Sequence, residues 1–434
     1  MSLPLSRAPN RFQATEVLEA VGEAARTRRH KGLLVYVHVP FCSSKCHFCD
    51  WVTRYPTPDL TATGDLQTEY VRALCQQIHW YGPRLRELGY VVTNVYWGGG
   101  TPTRLHARHL AAVAEALASA LDIARVQEYT VECSPETLTR DKLEVLLDRG
   151  VNRISIGVQS FDQQVLHRMG RAHDVAGARR AIALVQSMGI ENLNIDLITG
   201  FADQGMDSSV ASVQEAIGLG IPHLSVYLFR SFDASLVSVK QVVQGFRSLD
   251  VEHAAECLDA ARRTLAAAGY EQYAIASYAR EPRFHFDADE HYYTHRGDYI
   301  GFGAGAESFL GRHSILQATP GGAIDVRDYV ADPLSMGVVR PAGQLATSGA
   351  AYIRLLQALS TRTGIVYDLW EDHLGIGAAA LRHSPPLVRL LRRIEAAGGR
   401  IVETDDGLRL DPDTSADAVN RFQAEEQSHA PLRV

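Results

Sequence analysis

From residue 31 the chain alternates two kinds of apolar pattern. Short runs rich in Val, Ile, Leu and Tyr read as strands: "LLVYVHV", "VTNVYW", "VQEYTVE", "RISIGV", "LNIDLI" and "HLSVYLF". Between them, residues 105–121, 137–149, 174–188 and 207–219 read as helical stretches, the last two with alanine and leucine at helical spacing. Six strand–helix units predict an α/β fold with a parallel sheet and right-handed crossovers. The expected form is a partial (β/α)6 TIM-like barrel over residues 31–315, preceded by an N-terminal helical extension over 1–30. In such folds chemistry collects at the carboxyl ends of the strands.

A longer helix near 250–268 leads to "YEQYAIASYARE", a polar histidine-rich stretch, and then "GDYIGFGAGAESFLG". Residues 316–345, rich in Pro, Gly, Ala and Ser, read as a linker. Beyond it, residues 346–425 predict helices and a hairpin turning at Asp405-Asp406-Gly407, a small winged-helix-like α+β domain, with 426–434 as a tail.

Composition narrows the partners. A chain of 434 residues with 46% hydrophobic content can bury one large core and a satellite domain. A net charge of -7, with Lys and Arg scattered singly, provides no basic field for nucleic acid, and the arginines 389, 392 and 393 read as a solvated helix face. The longest apolar stretch, "GLLVYVHVPFC", is too short to cross a bilayer, so no membrane partner and a cytoplasmic location are expected. Thiols stay reduced there. Cys75 and Cys257 fall in helical patterns and read as small buried hydrophobes.

The other signal is "YVHVPFCSSKCHFCDW". Cys42, Cys46 and Cys49 place three thiols in one loop directly after the first strand. A [4Fe–4S] cube with four protein thiolates is saturated, whereas three leave one iron open to a small molecule. The alternative, a zinc knuckle completed by His38 or His47, lacks the second Cys-x-x-Cys arm that such sites use. Four further motifs fall at successive strand ends: Gly98-Gly99-Gly100-Thr101-Pro102-Thr103, where the backbone can approach a ligand closely; Glu132 in "YTVECSPE"; Gln159 in "SIGVQSFD" with Arg171 and His173 in "GRAHD"; and Asp196 in "NIDLITG".

Together these motifs resemble the radical S-adenosylmethionine (SAM) enzymes, in the group typified by oxygen-independent coproporphyrinogen III dehydrogenase. The resemblance implies a [4Fe–4S] cluster on the three cysteines, with SAM on the open iron cleaved by one electron to a hydrogen-abstracting radical. It implies that Tyr36, Gly99 and Glu132 contact the cluster-bound SAM, that Thr101, Gln159, Arg171 and Asp196 hold a second SAM, and that Gly100 lies between the two. Two SAM molecules are therefore expected.

Within that group the chain departs from the dehydrogenase, whose fourth cysteine stands where this chain has Trp51. It also departs from the haem chaperones, whose His-Asn-x-x-Tyr-Trp signature aligns with Asp289-Glu290-His291-Tyr292-Tyr293-Thr294; there His291 or His295 remains available as a haem ligand. The expectation is instead a radical C1-transferase resembling class C methyltransferases and cyclopropanases. Its unsaturated or aromatic small-molecule substrate would face Trp51, Tyr55, Tyr227, Arg230 and Glu307, with His173 or His291 as acid or base. A flavodoxin- or ferredoxin-type electron donor is implied, and a partner methyltransferase is left open. Haem chaperone and coproporphyrinogen dehydrogenase are the alternatives.

Overall fold

All six expected strands form, and in chain order: β1 (Gly32–Val39), β2 (Val91–Gly99), β3 (Glu128–Cys133), β4 (Arg153–Gln159), β5 (Asn192–Thr199) and β6 (His223–Leu228). The computed structural model describes residues 12–49, 61, 63–201, 204–229, 251–317, 325–336, 338–341, 349–396 and 398–411. β1 to β6 pair in sequence, every pair parallel. The crossover helices follow their patterns, at Ala107–Ala120, Arg140–Asp148, Val175–Ser187 and Met206–Gly218.

Strand period explains the architecture. Leu33, Val35, Val37 and Val39 of β1 are fully buried in the core beneath the helices, so Tyr36 and His38 take the opposite, inner face. The same alternation puts Tyr96, Glu132, Ser155 and Asp196 on the inner face, and register sets Glu132 beside Ser155 and Gly157 beside Asp196. The outer face is thus a continuous apolar layer, whereas the inner face is polar.

The sheet is larger than six strands. After β7 (Glu271–Gln272) and β8 (Ser277–Ala279), β9 (Asp298–Phe302) returns to the far side of β1 and pairs with it in parallel as a seventh parallel strand. β10 (Glu307–Leu310), β11 (His313–Leu316) and β12 (Val338–Pro341) then extend that edge antiparallel, giving twelve strands in the order β12-β11-β10-β9-β1-β2-β3-β4-β5-β6-β8-β7. Among the described residues the two ends of this sheet do not pair, so the barrel is partial. Residues 316–345, expected as a linker, contain β12 and the helix Val326–Ala331, while Ser335–Met336 pairs with Phe12–Gln13 ahead of the N-terminal helix Ala14–Thr27.

The helix Asp287–Thr294 closes the amino end of the barrel. Glu128, at the start of β3, accepts the Asp287 and Ala288 N–H groups at 3.1 and 3.4 Å, and the Asn94 amide donates to Asp287 at 2.8 Å. Those are two of the N–H groups that a helix start leaves without an intrahelical acceptor.

The C-terminal module has helices Gly349–Leu359, Tyr367–Leu374, Ala378–Arg382 and Pro385–Ala396 and a three-stranded antiparallel sheet including Ile401–Glu403 and Gly407–Leu410. Its apolar residues share one core with Leu34, Tyr299 and Phe309 of the barrel. A buried ionic knot reinforces the joint: Arg28 meets Asp298 at 2.8 Å, Asp372 at 3.5 Å and the His373 imidazole at 3.0 Å. No described helix is long and apolar enough to cross a membrane.

Candidate active site at the carboxyl end of the barrel

Cys42, Cys46 and Cys49 converge on one cavity of about 150 Å³, which also touches Gly99, Gly100, Thr101, Glu132, Gln159, Arg171 and Asp196. Ten of the expected cluster and SAM residues therefore share one wall, because each sits at or just past the end of its own strand. Tyr36 does not line the cavity; its ring stacks on Tyr96 at 5.9 Å, and the Tyr96 hydroxyl donates to Glu132. A larger cleft of about 390 Å³ opens at the amino end, between Asn192, Arg283, His285 and Arg362, and holds none of the cysteines.

The cysteine loop is held from two sides. Gly100 N–H donates to Val39 O and Thr101 N–H to Phe41 O, both at 2.8 Å, which fastens the glycine turn to the residues ahead of Cys42. A Cβ on Gly99 (φ +104°) would lie 2.5 Å from the His38 ring, and one on Gly100 would lie 2.8 Å from Val39 O, so both positions demand glycine. On the other side, His47 N–H donates to Met169 O at 2.9 Å and its Nδ1 to Arg168 O at 2.7 Å. Asp162 and Asp174 cap the helices flanking that turn, accepting from Gln164 at 2.8 Å and Gly177 at 2.6 Å.

The donor set fits a cluster with one open iron. All three cysteines are free thiols. Burial pushes the Cys42 thiol up to about 12, with Cys49 and Cys46 adding to it against a Thr101 hydrogen bond; a metal centre supplies the positive charge its thiolate needs. Arg171 Nη1 donates to Cys46 Sγ at 3.2 Å and Thr101 Oγ1 to Cys42 Sγ at 3.8 Å, contacts of the kind that tune cluster sulfurs. Of the two histidines that a zinc knuckle would use, His38 Nδ1 bonds the Tyr36 hydroxyl at 2.9 Å and His47 Nδ1 bonds Arg168 O at 2.7 Å.

The inner wall stores electrostatic cost. Burial lifts the Glu132 carboxyl to about 8, Asp196 and Asp289 add to it, and the Tyr96 hydroxyl and Gly99 N–H oppose it. Asp289, on the closing helix, is raised to about 7 by the same burial, against Arg153. Gln159 holds φ +70°, a left-handed conformation for a non-glycine residue, at the β4–β5 irregularity. Such strain collects where a side chain must face a ligand.

Other expected residues fall elsewhere. His173 does not line the cysteine cavity; it is bonded to Val158 O at 3.1 Å and lies 3.5 Å from Glu136. His291 lies at the amino end, its Nε2 donating to Asp298 O at 3.1 Å, with burial lowering it to about 4. His295 is enclosed between Trp370 and His373. Their one-dimensional spacing could not show which way these rings point. Tyr227, 45% exposed on β6, and Glu307, at the start of β10, do not line the cysteine cavity. Trp51, Tyr55 and Arg230 lie outside the described residues. The sequence reading missed Ser134 and Glu136, which do line it; their position in the loop just after Glu132 was the available signal.

Comparison with known proteins matches this geometry. Residues 36–213 match the radical SAM superfamily. The heme chaperone HemW of Escherichia coli is 31% identical over 274 residues, covering 63% of this chain and 69% of that one. The oxygen-independent coproporphyrinogen III oxidase of Paracoccus denitrificans is 29% identical over 247 residues, covering 57% and 53%. The solved coproporphyrinogen III oxidase HemN of Escherichia coli superposes with a TM-score of 0.70 at 19% identity, over 95% of this chain and 93% of that one, and shows a shared fold.

These relatives overturn the expected C1-transferase and the likeness to class C methyltransferases: they are haem chaperones and coproporphyrinogen oxidases. The contacts taken to favour C1 transfer, Gln159, Arg171 and Asp196, line the same cavity as the three cysteines, so they carry no signal for that chemistry beyond the shared site.

Proposed function

This chain belongs to the radical SAM superfamily, and from that premise we propose that it is a haem chaperone, binding haem for transfer in a fold that also holds a [4Fe–4S] cluster and SAM. The run of haem chaperones among its relatives carries the reading. Cys42, Cys46 and Cys49 would hold the cluster, the Gly99–Gly100 backbone would lie against the SAM bound to it, and Glu132 would face that ligand. When bound, the cluster supplies the single electron that cleaves SAM, delivered by a flavodoxin- or ferredoxin-type donor. Arg171 positions Cys46 through its guanidinium, and Gln159 and Asp196 extend the same wall for a second SAM.

This chain keeps only Tyr293 of the residues in the haem signature, and His291 and His295 are both turned into packed surroundings. A haem bound here would therefore take another ligand. The test is a titration of the anaerobically reconstituted protein with haem. A saturable Soret shift at about one equivalent is expected; strictly linear, unsaturable absorbance would defeat the proposal. The likeness to the coproporphyrinogen III oxidase of Paracoccus denitrificans supports a second reading, in which added coproporphyrinogen III is consumed and haem is not bound.

A further inference from the structure

We infer that His223 is a positioning residue for Asp196: it fixes the Asn194 side-chain amide so that the N–H end of that amide meets the Asp196 carboxylate. The inference rests on the reading that Asp196 faces a ligand in the cysteine cavity, and it concerns the layer of the barrel below that cavity. Strand register builds the layer. Asn194 pairs with Ser155 across β4 and β5 and with His223 across β5 and β6, while Asp196, two residues further along β5, pairs with Gly157 and Ser225. Residues two apart share a face, so Ser155, Asn194 and His223 form one row on the inner face, next to the row that holds Asp196. Asn194 is 1% exposed and His223 is fully buried.

Both ends of the Asn194 amide are engaged. Nδ2 donates to Asp196 Oδ1 at 2.8 Å and to Ser155 Oγ at 2.7 Å, while Oδ1 accepts from His223 Nδ1 at 2.6 Å and from Ser225 Oγ at 3.3 Å. Turned over, the amide would set its oxygen against the Asp196 carboxylate. The serines do not forbid that, because a hydroxyl can donate or accept. His223 does. Burial, the Arg153 charge and His285 hold its imidazole well below the ordinary value, so it is neutral and carries one ring proton. Its Nε2 faces the Tyr273 hydroxyl at 2.6 Å, and that oxygen accepts the Phe286 N–H at 2.7 Å, which leaves the Tyr273 proton for Nε2. The ring proton therefore sits on Nδ1, where it can be given only to an acceptor, Asn194 Oδ1. Arg153 Nη2, at 3.3 Å, is the longer contact at Nδ1 and acts through its charge.

The consequence falls on Asp196. Burial raises its carboxyl, against the Asn194 and Ser225 hydrogen bonds and the Arg153 and Arg171 guanidiniums. Glu132 on β3, Tyr96 on β2, Tyr227 on β6 and Asp289 on the closing helix also interact with it, and the charges of the two carboxyls oppose its ionisation. An oriented Asn194 donor thus helps to keep Asp196 an anion, which accepts from a hydroxyl or an ammonium of a ligand. Without that donor Asp196 would hold its proton and present a donor instead, so a residue that touches no ligand would set the sign of the contact.

The experiment uses the full-length, anaerobically reconstituted protein without haem or SAM, so its outcome is independent of how either ligand binds. An infrared pH titration follows the protonated-carboxyl band, and the part missing from Asp196→Asn belongs to Asp196. His223→Leu removes the donor and keeps an apolar filling; the Asp196 midpoint should rise by about one pH unit, the tenfold change expected on losing one hydrogen bond to a charged group. His223→Asn, whose amide N–H can reach the same oxygen, should recover most of that shift. Tyr273→Phe frees the imidazole tautomer but keeps the ring that stacks on His285 at 3.9 Å, and it should raise the midpoint by less. An unchanged midpoint in His223→Leu would overturn the proposal, as would a shift in His223→Asn as large as that in His223→Leu. Should His223→Leu fail to fold, Tyr273→Phe decides, and the absence of any rise there overturns the proposal.

Discussion

Replacing Glu132 with Gln should stabilise the ligand-free protein, by an amount that grows with pH. Its carboxyl lies on the inner wall, raised to about 8 by burial and by Asp196 and Asp289, against the Tyr96 and Gly99 hydrogen bonds. An unfolded chain releases that proton near pH 4.3. Below that value both states are protonated and no cost arises. Between about 4.3 and about 8 the native state keeps a proton that the unfolded chain has lost, so stability falls as pH rises, by about 1.4 kcal/mol per unit for one proton. The whole window would cost about 5 kcal/mol. Solvent reaches this open lumen and screens the charges, so about 2–3 kcal/mol is the expected size.

Gln keeps an acceptor for Tyr96 and for the Gly99 N–H but does not titrate. Urea denaturation of the apo protein, in unit steps from about pH 5 to about pH 8, should show wild type and Glu132→Gln converging at the acid end and separating towards pH 8. A difference that stays constant with pH, or a variant that is the weaker of the two at pH 8, would refute the assignment of a strained, protonated carboxyl. The cost belongs to a ligand site poised for occupancy, where stability is traded for binding.

Two other outcomes are expected. Replacing Cys42, Cys46 and Cys49 together with Ala should abolish iron uptake on anaerobic reconstitution, and iron content equal to wild type would exclude the three-thiolate site. Arg28→Ala removes the buried cation shared by Asp298 and Asp372, which are 0% and 3% exposed at their side chains; breaking that buried ion pair from one side should cost about 3–5 kcal/mol, read as earlier proteolytic release of the C-terminal module, and unaltered proteolysis would show that the ionic knot does not hold the joint.

The relation between sequence and structure differs from element to element. Strands β1 to β6 were legible because each carries its own apolar run and each is followed by helical spacing. β9 was not, since five residues of "DYIGF" between glycines carry no period of their own and become a strand only by pairing with β1. The cysteines, Gly99, Gly100, Thr101, Glu132, Gln159, Arg171 and Asp196 were legible because carboxyl-end positions of successive parallel strands must converge. His173 and His291, expected as acid or base, do not line that cavity: one ring bonds Val158 O and the other Asp298 O, placements that spacing along the chain does not encode.

The chain by itself determined the order of strands and helices, the polar inner and apolar outer faces, and the three-thiol loop, since period and spacing act between residues a few positions apart. Tertiary structure alone decided that the late strand returns beside the first, that Asp287–Thr294 closes the amino end, and that His223 joins Tyr273 to Asn194. Those contacts link residues far apart in sequence, and they exist only where packing and register bring distant backbone together.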